Sequence, residues 1–143
     1  MNVSFYERFR SVRVRQRLSL VFAVLFALVG ILFLVGPDWT IAATNALSRI
    51  IGGRELQPVG YGFYQVLAVA YMTTVTMIAF FMYLHPQERI YPGLLVGAKG
   101  SSSILSLLMV VLHGPYLLYT LNFAVDGAIA LLVYYLFRDI LES

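Results

Sequence analysis

Four apolar runs, Leu18 to Gly36, Tyr61 to Leu84, Gly93 to His113 and Tyr116 to Phe137, take up most of this chain and leave little else to fold. About 20 apolar residues coiled as an α-helix match the roughly 30 Å of hydrocarbon in a bilayer. With 60% hydrophobic residues, 12% charged residues and a mean hydropathy of +0.82, the composition lies far from that of a water-soluble domain. The expected fold class is therefore all-α, a polytopic membrane protein folded as one domain: a left-handed four-transmembrane-helix bundle. The connections are too short for a soluble catalytic domain. The lack of cysteine excludes disulfides, thiolate metal sites and vicinal-cysteine redox chemistry.

The net charge of +3 reads as a topology signal and not as a nucleic-acid stripe, so no nucleic-acid partner is expected. Arg8, Arg10, Arg13, Arg15 and Arg17 fall in the basic tail, residues 1–17. The next connection sets Arg49 and Arg54 against Asp38 and Glu55, and Arg89, Lys99 and Arg138 return to the starting side. By the positive-inside rule both termini are cytoplasmic, and the first run is an uncleaved anchor. Phe5, Phe9 and Val12 stand at helical spacing within the tail. That spacing suits either an amphipathic helix held on the inner leaflet by anionic lipid or a plain orientation signal.

Gly36-Pro37 breaks the first span, and residues 38–51 alternate apolar and polar side chains as a short outer interfacial helix does, with Trp39 at headgroup depth. Pro58, Gly60 and Gly62 mark the re-entry into the second span, residues 61–84. A short polar turn from His85 to Pro92 makes the second and third spans antiparallel neighbours, and Gly114-Pro115 turns the third, 93–113, into the fourth, 116–137. Gly93, Gly97, Gly100 and Ser101 give the third span a small-residue surface suited to close helix contact, inside the bundle or with a partner.

One carboxylate, Asp126, lies in the middle of the fourth run. At mid-bilayer a charged side chain costs at least about 2.5 to 3.5 kcal/mol, so it is expected to face protein or a wet cavity. Tyr119, Asn122 and Asp126 share one face of the fourth span, and Lys99, Ser103, Ser106 and His113 share one face of the third. The hairpin between them puts Asp126 level with Ser103. Lys99 lies about 6 Å nearer the cytoplasmic end, within reach of Asp126 or able to snorkel to the headgroups. Without Lys99, the carboxylate would need hydrogen bonds from Ser102, Ser103, Thr73 or Thr76.

Three functional readings of this polar interior follow. The groups are interhelical glue, or polar handles in a cavity for a lipid or quinone, or a proton-coupled or ion-transport site centred on Asp126. Enzyme chemistry is disfavoured. His85 and His113 fall at opposite ends of their spans and cannot both ligate one haem, no three ligands share a depth for a metal, and Ser101 to Ser103 have no histidine at their level. No cofactor is expected beyond a bound lipid or quinone. The leading expectation is a non-enzymatic accessory or self-associating subunit, with membrane lipid, a homo-oligomer or a larger membrane complex as partners.

The chain also resembles the small DoxX-like four-helix proteins of bacterial inner membranes. The resemblance is carried by the basic amino end, Gly36-Pro37-Asp38-Trp39, His85-Pro86-Gln87-Glu88-Arg89 and Gly97-Ala98-Lys99-Gly100-Ser101-Ser102. It implies the four-helix layout and a bacterial envelope location, and some members look like accessory subunits of redox systems. No functional residue is carried over from it.

Overall fold

The computed structural model describes residues 12–50, 55 and 61–142, which form five helices: α1 Val12–Val35, α2 Pro37–Ile50, α3 Tyr61–Leu84, α4 Ile90–His113 and α5 Leu117–Leu141. Four of them, α1, α3, α4 and α5, are long and apolar enough to cross a membrane. This is the architecture of a multi-pass helical membrane protein. Up-and-down connectivity brings Val12, the α3–α4 turn and Leu141 to one end of the bundle, here the terminal end. The α4–α5 turn lies with α2 toward the opposite end.

Local sequence sets these boundaries. Pro37 opens α2, where its missing N–H leaves no helical bond unmade. Gly36 precedes it because a Cβ there would lie 2.7 Å from the Trp39 ring. At the end of α4, Gly114 adopts a φ of 100°, and its N–H donates to the Val110 carbonyl at 3.0 Å. That backbone is cheap only for glycine, and Pro115 prevents the helix from resuming.

The bundle is assembled from two pairs of helices. α1 packs along α3 and α4 along α5, while a thinner seam between α3 and α4 joins the pairs. Each pair has a point of close approach at a glycine. A Cβ on Gly30 of α1 would lie 3.2 Å from Met72 Cβ of α3, and one on Gly127 of α5 would lie 2.9 Å from Ser103 Oγ of α4. Gln65 Nε2 ties the α1–α3 pair at the opposite end by donating to the Phe33 and Leu34 carbonyls, both at 3.2 Å. α2 touches α1 and α5 and buries Ser48.

Burial is lopsided along the bundle axis. On the terminal-end side Phe22, Phe26, Met72, Val75, Ala79, Met82, Leu95, Val133, Leu136 and Phe137 form a continuous apolar core. Toward the opposite end the last buried residues of α1, α4 and α5 are Phe26, Ser106 and Asp126, and the first buried residue among the described side chains of α3 is Met72. Beyond that level the four long helices bury no described side chain fully. The outward faces carry large apolar residues, such as Leu28, Ile31, Val66, Ile104, Val111 and Leu131, as a lipid-facing surface requires.

Three boundaries differ from the hydropathy reading. α1 begins at Val12 and not at Leu18, so residues 12–17 of the expected tail are helical; Arg and Gln favour helix, and apolar count alone does not register them. α4 starts at Ile90 and α5 continues to Leu141, each adding about one turn at the terminal end. Of the expected amphipathic tail, Phe5 and Phe9, with Arg8 and Arg10, lie outside the described residues.

Candidate functional site

Lys99 and Asp126 form the centre of the interior. Lys99 Nζ donates to Asp126 Oδ1 at 2.9 Å, and the side chains are 4% and 5% exposed. The pairing therefore sits in a low-dielectric setting where removing either charge would leave the other isolated. Lys99 reaches toward the carboxylate and does not snorkel to the terminal end. Its ammonium also lies 4.6 Å from the ring centroid of Phe26 on α1 and 5.2 Å from that of Tyr71 on α3, both within cation–π range. One side chain from each of the four long helices thus meets at this charge.

The remaining polar groups are arranged just beyond the pair. Asn122 Nδ2 donates to Ser106 Oγ at 2.6 Å and to Ser102 Oγ at 3.1 Å, which joins α5 to two successive turns of α4. Ser103 Oγ donates to the Phe123 carbonyl at 2.9 Å. The absence of a side chain at Gly127 makes room for that hydroxyl. Tyr71 donates its phenol proton to the Ala98 carbonyl at 3.1 Å and thereby joins α3 to α4. The hydrogen bonds thus run from Ser106 through Asn122 to Ser102, with Tyr71 and the charge pair alongside.

Not every expected member joins this cluster. Thr73 is exposed and donates back to the Val69 carbonyl at 2.8 Å, and Thr76 donates to the Met72 carbonyl at 2.7 Å, so both satisfy their hydroxyls within α3. His113 is exposed at the end of α4, and Tyr119 is half-buried with its ring edge-on to Tyr116 at 5.7 Å. At the terminal end His85 stacks on Tyr91 at 6.0 Å. Of the expected surface of Gly93, Gly97, Gly100 and Ser101, only Gly93 approaches α5. Among the described residues a Cβ on Gly97 or Gly100 would meet nothing within 4 Å, Ser101 is exposed, and one on Gly93 would lie 3.6 Å from the Leu141 side chain.

Three residues that the sequence reading did not place in the interior have clear roles in it. Phe26 brackets the ammonium together with Tyr71, and Gly127 sets the α4–α5 spacing. Arg15 is the largest surprise, because a residue read as part of a topology signal is buried. Its Nε donates to the Leu136 carbonyl at 3.0 Å, its Nη2 pairs with Asp139 at 2.5 Å, and its guanidinium lies 5.5 Å from the Phe137 ring centroid. This closes α1 onto α5 at the terminal end. A signal was present: Arg15, Ser19, Phe22 and Phe26 follow the helical spacing of one face, so the buried stripe of α1 extends through the arginine.

Away from the interior, Arg49 and Glu55 make a two-bond ion pair at 2.6 and 3.1 Å beside α2. Hydrogen bonding to Arg49 holds the Glu55 carboxyl below its ordinary value, and the same bond raises the Arg49 guanidinium. No protein-family model matches the chain, and neither a curated protein nor a solved structure is significantly similar to it.

Proposed function

We propose that this is a non-enzymatic integral membrane protein, an accessory or self-associating subunit whose intramembrane charge pair fixes the arrangement of four spanning helices. The observation that carries the reading is the meeting of Lys99, Asp126, Phe26 and Tyr71, one from each long helix, at a single buried ammonium. Groups engaged with one another in this way specify a fold. The open space outside Gly97 and Gly100 supports a role in which α4 receives a further helix, from a second copy or a larger complex. A bacterial inner membrane with both termini in the cytoplasm is part of the same proposal, supported by the arginines at the terminal end.

Transport through Asp126 is the competing reading. It would need a polar path from the pair to the terminal end. Over the about 15 Å of helix between Asp126 and Leu136, the interior is filled by Val75, Ala79, Met82, Leu95 and Val133, all fully buried and apolar. That dry block weighs toward an architectural role. The test is extraction in mild detergent of wild type and of the double variant Lys99→Met/Asp126→Leu, which replaces the pair by apolar residues. The subunit reading expects both to be recovered at the same fixed stoichiometry, with themselves or with a larger partner. Recovery of the wild type only as a monomer, or an Asp126-dependent proton flux in liposomes, would overturn it.

A further inference from the structure

Among the described lysines and arginines, Arg15, Arg49, Lys99 and Arg138 each pair with a carboxylate. Arg13, Arg17 and Arg89 are exposed and pair with none of the described residues. All three lie at the terminal end. Arg13 and Arg17 stand one turn apart on α1, a spacing at which like charges on a helix repel. No acidic residue occupies the first turn of α1 to offset them.

Helical phase and depth narrow what can compensate them. At about 100° per residue, Arg13 and Arg17 fall on the same side of α1 as Leu20, Val24 and Leu28, opposite the buried stripe of Arg15, Ser19, Phe22 and Phe26. These three apolar side chains are exposed as well. Arg17 lies about 27 Å along the helix from Val35, close to the roughly 30 Å of hydrocarbon, so it marks the edge of the acyl region. Arg13 stands about 6 Å farther out, at headgroup depth. Guanidinium groups fork onto phosphate oxygens through paired N–H donors. Leu28 lies about 17 Å from Arg17 on the other side, close to the reach of one leaflet's acyl chain. A free phosphate would leave the apolar stripe unused, and a zwitterionic headgroup would bring its own cation to two guanidiniums that already repel each other.

We propose that the outward face of α1 binds an anionic phospholipid in the leaflet at the terminal end, with its phosphate between Arg13 and Arg17 and an acyl chain along Leu20, Val24 and Leu28. The site is separate from the Lys99–Asp126 interior and goes beyond the subunit reading. Arg15 closes the same two turns of α1 onto α5 from the inward side, so the lipid and the ion pair hold this stretch from opposite faces. Arg89 shares the end of the bundle but belongs to the α3–α4 turn.

The experiment places the full chain in phosphatidylcholine nanodiscs with a trace of phosphatidylglycerol carrying a diazirine in its acyl chain. Photolabelling is expected on α1 peptides, and unlabelled phosphatidylglycerol should displace the probe better than phosphatidylcholine does. Each arginine should contribute about fivefold to that preference, as expected for a basic residue at an anionic surface. Arg13→Gln and Arg17→Gln should therefore each lose about that factor, and the double variant most of the preference. Arg89→Gln, which removes one charge from the same end, should keep it. Glutamine favours helix and neither α1 side chain is buried, so circular dichroism should show all variants folded. Equal competition by the two lipids, an effect of Arg89→Gln as large as that of Arg13→Gln, labelling away from α1, or displacement by inorganic phosphate would each overturn the proposal. These outcomes leave assembly stoichiometry untouched, so the subunit reading stands or falls separately.

Discussion

Replacing Lys99 by methionine isolates the most consequential interaction in the molecule. The substitution keeps the volume and places a polarizable sulfur between Phe26 and Tyr71, so the packing loss is small. It leaves Asp126 buried and unpaired, for which the expected cost is about 3–5 kcal/mol. Asp126→Leu should cost less, about 2–3 kcal/mol, because the two rings that bracket the stranded ammonium each return about 0.5–1 kcal/mol or more. The double variant should come within about 1 kcal/mol of wild type, since apolar replacement of a whole buried pair is often neutral. The resulting coupling is at least about 4 kcal/mol, several times the roughly 0.6 kcal/mol average for interhelical hydrogen bonds in membranes. Reversible unfolding in mixed detergent micelles, followed by helical circular dichroism, measures all four corners of this cycle. A double variant as unstable as the sum of its singles would refute the pairing argument.

Three other expectations follow from the geometry. Gly127→Ala puts a methyl group 2.9 Å from Ser103 Oγ and should destabilise the fold by about 1–3 kcal/mol, with partial recovery on adding Ser103→Ala, both read from the same unfolding titration. Arg15→Met should remove the α1–α5 ion pair and release the Leu136 carbonyl at the terminal end; faster amide exchange confined to the first turns of α1 and the last of α5 would show this, and unchanged exchange would argue against the closure. The folded Glu55 carboxyl titrates below the usual value of about 4.3, so the contribution of its pair with Arg49 is complete above that value and is lost as pH falls through the lower folded one. A carbon-detected titration of Glu55 should show the low midpoint in wild type and a return toward the ordinary value in Arg49→Met.

The large features of the fold were legible because bilayer thickness and helix rise leave few options: the four runs and the interfacial stretch after Gly36-Pro37 correspond to α1, α3, α4, α5 and α2. Hairpin arithmetic across Gly114-Pro115 likewise places Lys99 within reach of Asp126, while Ser103 bonds to the Phe123 carbonyl in the neighbouring turn. Rotation about each helix axis was harder to read. Thr73 has the composition of an interior residue and faces outward, since a hydroxyl that bonds its own helix at Val69 needs no neighbour. The α4 glycines suggest contact wherever they point, whereas the glycine that governs the α4–α5 spacing, Gly127, is a single residue without a motif. Arginine near a helix start has two uses, orientation and closure. Charge counting cannot separate Arg15 from Arg13 and Arg17, but its phase with Ser19, Phe22 and Phe26 can.

The two-pair construction has a mechanical consequence. Each pair is seated tightly at its own glycine, Gly30 against Met72 and Gly127 against Ser103, whereas the seam between pairs is thin and crossed at its mid-depth by Lys99 reaching over to Phe26 and Tyr71. The molecule is thus jointed like a pair of shears, with the lysine as its pivot pin and Arg15 fastening the handles. Any scissoring in the bilayer should widen the blades on the α2 side while the handles stay shut.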